Sequence, residues 1–352
     1  MPSGSALVLV VLVLLVCVVS QVLAETAQSV PAALGDENVS SVTSSHLLRG
    51  PSVAAATPSR NSSASMTAYY QDAGVEAVYL SGAAYCGKSL QTWSCTPCKS
   101  ASKTANIQSN AVRVFNSSLA TYGYVAYDSK KDRIIVAFRG TTNLQNWITN
   151  LKTARTQFLN TGTSVHIGFN SAYMSVRDKV LASVNEFLGA HRSARIMVVG
   201  HSLGGALATL CAVDIALTKG IKNIESYTFG SPRVGNQAFA DLYKNKIPSG
   251  FRVVHWRDIV PSVPPGWFGF NHVQQEVFYN SDSSSFELCD GECSIFASSI
   301  PDHLSYINIP ISGMCGDAAS MVVGSSEAIH AAVDQMYKEA EQQRLSGVSV
   351  PE

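Results

Sequence analysis

Apolar positions along this chain group in two ways. Stretches of strand length, apolar on both faces or nearly so, occur at 122–127, 133–138, 196–199, 224–229 and 251–255. A polar turn at 128–132 joins the first two into a hairpin. Between them lie longer segments with helical spacing of apolar residues, at 67–85, 169–188, 203–217 and 237–243. Strands that alternate with helices predict an α/β domain whose mainly parallel sheet is covered on both faces.

The ends of the chain follow other patterns. Leu7–Val19 is unbroken apolar sequence, too short for a span of about 20 residues. Val22 and Ala24 follow it as a small-residue cleavage site, so residues 1–24 read as a signal peptide and no transmembrane anchor is expected. Residues 25–65 are rich in Ser and Ala and lack any aromatic residue. That composition cannot bury a core and predicts a propeptide or flexible stalk, with acceptor sequons at Asn38 and Asn61. A catalytic domain is expected over 66–315, followed by a C-terminal extension over 316–352 in which 327–344 has helical periodicity. The expected location is therefore extracellular.

Composition narrows the partners. The 352 residues are 46% hydrophobic and 14% charged, with 25 basic and 25 acidic side chains. That balance, with no long basic run, argues against nucleic acid and for an uncharged or apolar substrate. Of eight cysteines, Cys17 leaves with the signal and Cys211 falls in an apolar helix, where a buried thiol is expected. The close pairs Cys95/Cys98 and Cys289/Cys293 have spacings compatible with a four-thiolate zinc site or with two disulfides. An oxidising compartment favours disulfides, which leaves Cys86 to pair with Cys315.

The chemistry concentrates at Gly200-His201-Ser202-Leu203-Gly204, a G-x-S-x-G sequence between a buried strand and a small-residue helix. In that context the turn lifts a serine clear of the sheet and aims the helix N-terminus at the same point. Flanking glycines remove the Cβ atoms that would collide there. A nucleophilic serine needs a base and an orienting carboxylate, which follow it in chain order in such sheets. Among Asp214, Asp241, Asp258, Asp282 and Asp302, Asp258 is selected because it follows the strand at 251–255 and opens a Pro-rich loop. Asp214 is expected to be a solvated helix residue. Among His255, His272, His303 and His330, the loop residue His303 is preferred as base, with His272 the alternative. His201, beside the serine, cannot curl back to serve it and is expected to be packed or hydrogen-bonded.

Gly200-His-Ser-Leu-Gly-Gly-Ala206, Ser231-Pro-Arg-Val-Gly235, Asp258-Ile-Val-Pro261 and Asp302-His-Leu-Ser-Tyr306 together resemble the fungal-type class 3 triacylglycerol lipases, over about 66–315. The resemblance implies an α/β-hydrolase fold, a triad on Ser202, Asp258 and His303, and disulfides Cys86–Cys315, Cys95–Cys98 and Cys289–Cys293. It also places an oxyanion loop at Arg139-Gly140-Thr141, with the amides of Thr141 and Leu203, and the Thr141 hydroxyl, as donors. Leu144, Trp147, Ile148 and Leu151 fall at i, i+3, i+4 and i+7 and resemble that family's lid. The expected activity is hydrolysis of lipid esters at an oil–water or membrane interface through an acyl-enzyme, with no metal or cofactor. Phospholipase A1 and feruloyl-type esterase activities share this fold and are the nearest alternatives. A secreted binding protein that keeps the fold without activity is the alternative from another class.

Overall fold

The structure is a computed structural model and describes residues 67–346 apart from 274, 294–296, 312 and 316–321. The expected signal peptide, the segment 25–65 and both sequons lie outside the described residues. The chain begins with helices α1 (Gln71–Ala83), α2 (Gly87–Gln91) and α3 (Thr96–Ala101), then strands β1 (Ile107–Asn116), β2 (Tyr122–Asp128) and β3 (Arg133–Phe138). Helix α4 (Leu144–Thr149), the small strands β4 (Arg155–Gln157) and β5 (Ser164–His166), and helices α5 (Ile167–Met174) and α6 (Arg177–Ala190) follow. The second half runs β6 (Arg195–His201), α7 (Leu203–Lys219), β7 (Ile224–Phe229), α8 (Gln237–Lys246), β8 (Ser249–His255), β9 (Glu276–Tyr279) and β10 (Phe286–Cys289). The short pair β11 (Ser305–Tyr306) and β12 (Ile309–Pro310) precedes helix α9 (Ser326–Leu345).

Eight strands form one sheet in the order β1-β2-β3-β6-β7-β8-β9-β10. The five from β3 to β9 are parallel and the outer pairings antiparallel. Period-2 alternation explains why the central strands are apolar throughout. Ile134, Val136, Ile196 and Val198 enter the core on one face, with α5, α6 and α7. Ile135, Ala137, Met197 and Val199 enter the core on the other, with α1. Parallel register then sets Phe138 beside Gly200 and His201 beside Phe229, so the carboxyl ends of β3, β6 and β7 share one edge. The turn that carries Ser202, the loop after β3 and the loop that carries Asp258 all leave from that edge.

Three local features depart from the sequence pattern. The single helix expected at 169–188 is two, because the Ser175 hydroxyl donates to the Ala172 carbonyl at 2.6 Å and ends α5 with a local bond. Strands β1, β9 and β10 carry no clear alternation; β1 is only partly buried and joins the sheet through backbone pairing to β2. Asp214, expected in solvent, is fully buried on α7. It accepts from the Tyr173 hydroxyl at 2.6 Å and from Arg177 Nε and Nη2 at 2.7 and 3.0 Å. Its helix face packs against α5 and α6, so the carboxylate reaches donors 37 and 41 positions away.

His166 starts α5 as its N-cap. Its Nδ1 accepts from the amides of Gly168 and Phe169 at 3.0 and 3.2 Å, while Nε2–H donates to the Lys152 carbonyl. An imidazole that accepts on Nδ1 must be neutral, and burial pushes its pKa down to about 4.

Two stability predictions follow from these groups. Asp214→Ala leaves a buried phenol and a half-buried guanidinium without their acceptor and is expected to cost about 3 kcal/mol. Urea titration should show a lower midpoint at unchanged m-value. For His166 the folded state disfavours protonation, so stability is full above the ordinary imidazole value near 6.5 and falls as pH drops toward 4. The loss should reach about 3 kcal/mol below that window. Melting curves for His166→Asn should show a shallower pH dependence between these limits than the parent protein.

Candidate active site

The site is built on the turn from β6 into α7. Ser202 has φ 60° and ψ −132°, a conformation that a non-glycine residue holds only when its surroundings over-determine it. Its amide donates to the Phe229 carbonyl at 2.8 Å, and its carbonyl accepts from Gly205 N–H at 2.8 Å. A Cβ on Gly200 would collide with the Gly204 carbonyl, and one on Gly204 with the Phe138 carbonyl. Only glycine at both positions lets α7 approach the sheet this closely.

Asp258 and His303 meet at this edge from different loops: that of Asp258 leaves β8 here, whereas that of His303 leaves β10 at the opposite edge. Asp258 follows β8, and its Oδ1 accepts from the Val260 amide at 2.9 Å. His303 Nδ1 lies 2.9 and 3.0 Å from the two carboxylate oxygens, and the Tyr306 hydroxyl donates to Oδ2. A carboxylate facing Nδ1 requires the hydrogen there and leaves Nε2 as the lone-pair nitrogen. Ser202, Asp258 and His303 are all buried. Among the described residues, neither Ser202 Oγ nor His303 Nε2 has a hydrogen-bond partner. The loops are tied to each other by Ile259 N–H to Ser299 O at 3.1 Å, Ser299 N–H to Arg257 O at 2.7 Å, and His255 Nδ1 to the Asp302 carbonyl at 3.1 Å.

His201 and two tyrosines complete a polar chain. His201 Nε2 donates to the His303 carbonyl at 2.8 Å, so its Nδ1 accepts from the Tyr85 hydroxyl at 2.9 Å. The Tyr85 oxygen in turn accepts from the Gly140 amide at 3.1 Å. Burial, then the neighbouring His303, holds the His201 pKa well below the ordinary value, consistent with a neutral ring that both donates and accepts. Burial likewise pushes the Tyr85 and Tyr306 phenols up; the Asp258 charge adds to the shift at Tyr306. Both phenols stay protonated donors. Neither tyrosine stands out from periodicity; Tyr306 closes a motif quoted for its histidine, and Tyr85 is marked only by its place beside Cys86.

His272, the alternative base, sits elsewhere. Its Nε2 donates to the Pro261 carbonyl at 2.8 Å, and it lines a cavity of about 510 Å³ with Arg233, Asp241 and Glu292. Burial and the Arg252 and Arg233 charges hold its pKa well below the ordinary value. His330 lies on α9, with its Nε2 bonded to the Ser298 carbonyl.

The loop after β3 and helix α4 border the serine. The Thr141 hydroxyl donates to the Asn143 carbonyl at 3.0 Å and accepts from the Asn143 amide at 3.1 Å, so it braces its own loop. Thr141, Asn143, Trp147 and Leu203 line a cavity of about 310 Å³. Across Trp147 and Leu203, a second, more apolar cavity of about 410 Å³ is lined by Leu151, Ile167 and Phe169. On α4, Leu144 and Ile148 are buried and Trp147 is half-buried, as is Leu151 just after the helix. The Trp147 ring stacks on Phe169 with centroids 6.2 Å apart.

Three disulfides join Cys86 to Cys315, Cys95 to Cys98 and Cys289 to Cys293, with Cα separations of 5.1, 4.9 and 6.0 Å. Each close pair is bonded within itself. Cys211 is a buried free thiol.

Similarity to known proteins agrees with this architecture. The family model "Lipase (class 3)" matches residues 135–268. A lipase of Rhizopus niveus is 36% identical over 245 residues, which are 65% of this chain and 62% of the relative, so the match leaves more than a third of that protein uncovered. The secreted mono- and diacylglycerol lipase 1 of Fusarium solani is 38% identical over 48% of this chain and 52% of its own length. The solved structure of Rhizomucor miehei triacylglyceride lipase superposes with a TM-score of 0.63 at 33% identity, covering 70% of this chain and 98% of that one. A Rhizomucor miehei lipase sequence is 34% identical, and this chain spans 68% of its length. Shared sequence over that extent, with a shared fold, makes this chain a member of the class 3 lipase family.

Proposed function

We propose that this protein is an extracellular carboxylic ester hydrolase acting on lipid esters, a triacylglycerol lipase in type. The observation that carries the reading is the Asp258–His303 pair, with two further donors converging on the carboxylate, on the same sheet edge as the strained Ser202 turn. His303 Nε2 takes the proton of Ser202 Oγ as the oxygen attacks the ester carbonyl. Asp258 holds the imidazole tautomer and stabilises its positive form. The amides of Thr141 and Leu203 receive the developing oxyanion, with the Leu203 amide at the first turn of α7. His303 then protonates the leaving alcohol, and water repeats the sequence on the acyl-enzyme.

Lipid is favoured over a dissolved ester because α4 and the residues after it carry Leu144, Trp147, Ile148 and Leu151 beside this edge, and the cavity beside Leu203 is mostly apolar. A lid of this kind exchanges its buried apolar contacts for contact with an oil surface, so the open population rises there. The location outside the cell is supported by the relatives named as secreted. Among the described residues no helix is long and apolar enough to cross a membrane.

Ser202→Ala is expected to lower hydrolysis of p-nitrophenyl esters by roughly a thousandfold or more while the protein stays folded. Asp258→Asn and His303→Ala should be similarly severe, and His272→Ala should keep most activity. An active His303→Ala with an inactive His272→Ala would reverse the choice of base. A panel of emulsified triolein, phosphatidylcholine and methyl ferulate separates the lipase from the phospholipase and feruloyl esterase readings.

For the lid, turnover of a short-chain ester should rise disproportionately once its solubility limit is passed. Trp147→Ser should blunt that rise and reduce triolein hydrolysis more than hydrolysis of the dissolved ester. Equal effects on both substrates would remove α4 from this role.

A further inference from the structure

Helix α9 lies beyond the region that carries the family motifs, yet it is bound to the lid. Its N-cap Ser325 accepts from the Ala328 amide, and it presents Ile329, Val333, Met336 and Ala340 along one stripe at i, i+4, i+7 and i+11. All four are buried, whereas the opposite positions are exposed. Ile329, Val333 and Met336 share one apolar cluster with Leu144 and Ile148 of α4, with Ile259, Val260 and Val263 after Asp258, and with Ile300 before His303. The stripe is therefore wedged between the lid helix and the two loops that carry the acid and the base.

Polar bonds fix both sides of the wedge. On the lid side, Val322 pairs with Asn143 as a parallel bridge. Val322 N–H donates to the Thr142 carbonyl at 2.8 Å, and the Leu144 amide donates to the Val322 carbonyl at 3.0 Å. The Ser325 amide donates to Gln145 Oε1 at 2.8 Å. These bonds hold 142–145, the segment about which α4 would turn to move away. On the other side, the Tyr337 hydroxyl donates to the Ser262 carbonyl at 2.9 Å, and His330 Nε2 to the Ser298 carbonyl at 2.7 Å. The Cys86–Cys315 disulfide anchors the chain just before this segment to the end of α1. Lifting α4 from its place must break one of these two sets of contacts, and Ser202 is fully buried in the clamped arrangement.

We propose that residues 322–345 are an intramolecular clamp on the lid, released at a lipid surface, which sets how readily the active site opens. The clamp rests on the hydrolase reading above. Release is chemically reasonable there because the stripe that leaves α4 finds an equivalent apolar environment in the lipid. Without lipid, the same stripe can leave its pocket only by entering water, so the clamped form dominates.

The test uses the full-length chain. Met336→Asp and Val333→Asp place a charge in the wedge and leave Ser202, Asp258, His303 and the loop after β3 unaltered in sequence. Each is expected to speed hydrogen exchange at the Leu144 amide and to raise turnover of a dissolved short-chain ester by about tenfold or more, the effect of shifting the opening equilibrium by about 1.4 kcal/mol. The gain should shrink on emulsified triolein, where the parent protein already opens. In the reverse direction, Gln145→Cys with Ser325→Cys, joined by a short bis-maleimide, should lose most triolein hydrolysis that the unjoined double variant retains. Circular dichroism and urea midpoints identify any variant that has failed to fold, and the cross-linked pair tests the clamp without destabilising it. Ser202→Ala that retained activity would overturn the hydrolase reading, leaving exchange at Leu144 to report on the clamp alone. If Ser202→Ala is inactive, unchanged ester turnover in both Asp variants or full activity of the cross-linked protein would overturn the clamp.

Discussion

The close approach of α7 to the sheet at Gly200 and Gly204 is the constraint on which the site depends. It removes the room that a side chain would need and forces Ser202 into a positive φ. Such a conformation costs of order 1–3 kcal/mol and survives only where packing on all sides leaves no alternative. The packing comes from a sheet buried on both faces, with Ile196 and Val198 on one side and Met197 and Val199 on the other. The Phe229 carbonyl completes the restraint by accepting the Ser202 amide. Strain at one residue is thus supported by the cores on both sides of the sheet, and the same parallel register that buries β6 brings the loops after β3 and β8 to that residue.

Around the serine, polar groups are buried in a connected set. Asp258 takes donors from His303, Tyr306 and the Val260 amide, and the His303 carbonyl is tied through His201 and Tyr85 to the Gly140 amide. Each hydrogen in the chain from His303 to Gly140 has one direction available once the tautomer of His201 is fixed by a carbonyl. Connected networks of this kind stiffen their surroundings, and among the network's own side chains only His303 Nε2 is left without a partner among the described residues. The outcome is that the base loop and the loop after β3 hold their separation through side chains, although they share no strand pairing.

Helix α4 is held in another way, mainly by apolar packing. Its apolar residues divide their burial between the main core, through Trp147 on Phe169, and the cluster built by α9. A six-residue helix has little stability of its own. Its position is therefore decided by which apolar surfaces compete for Leu144, Ile148 and Trp147. The network around Asp258 is held by directional partners; α4 combines non-directional apolar contacts with a few hydrogen bonds at its start.

Sequence alone determined the elements whose information is local. The runs at 133–138 and 224–229 match β3 and β7 end for end, and the glycines of the turn, the order of Ser202, Asp258 and His303, and the helical stripe at 327–344 were all legible. Each depends on short-range periodicity or on a motif whose residues are neighbours in the chain. Tertiary structure alone decided what single polar residues meet across long separations. Asp214 has the spacing of a solvated helix residue and becomes a buried acceptor because α5 and α6 cross its face. Tyr85 reaches His201 across 116 positions, and Val322 reaches back to Leu144 from beyond Cys315. One residue with one partner leaves no period to read, so the pairing exists only once the sheet has brought its edge together.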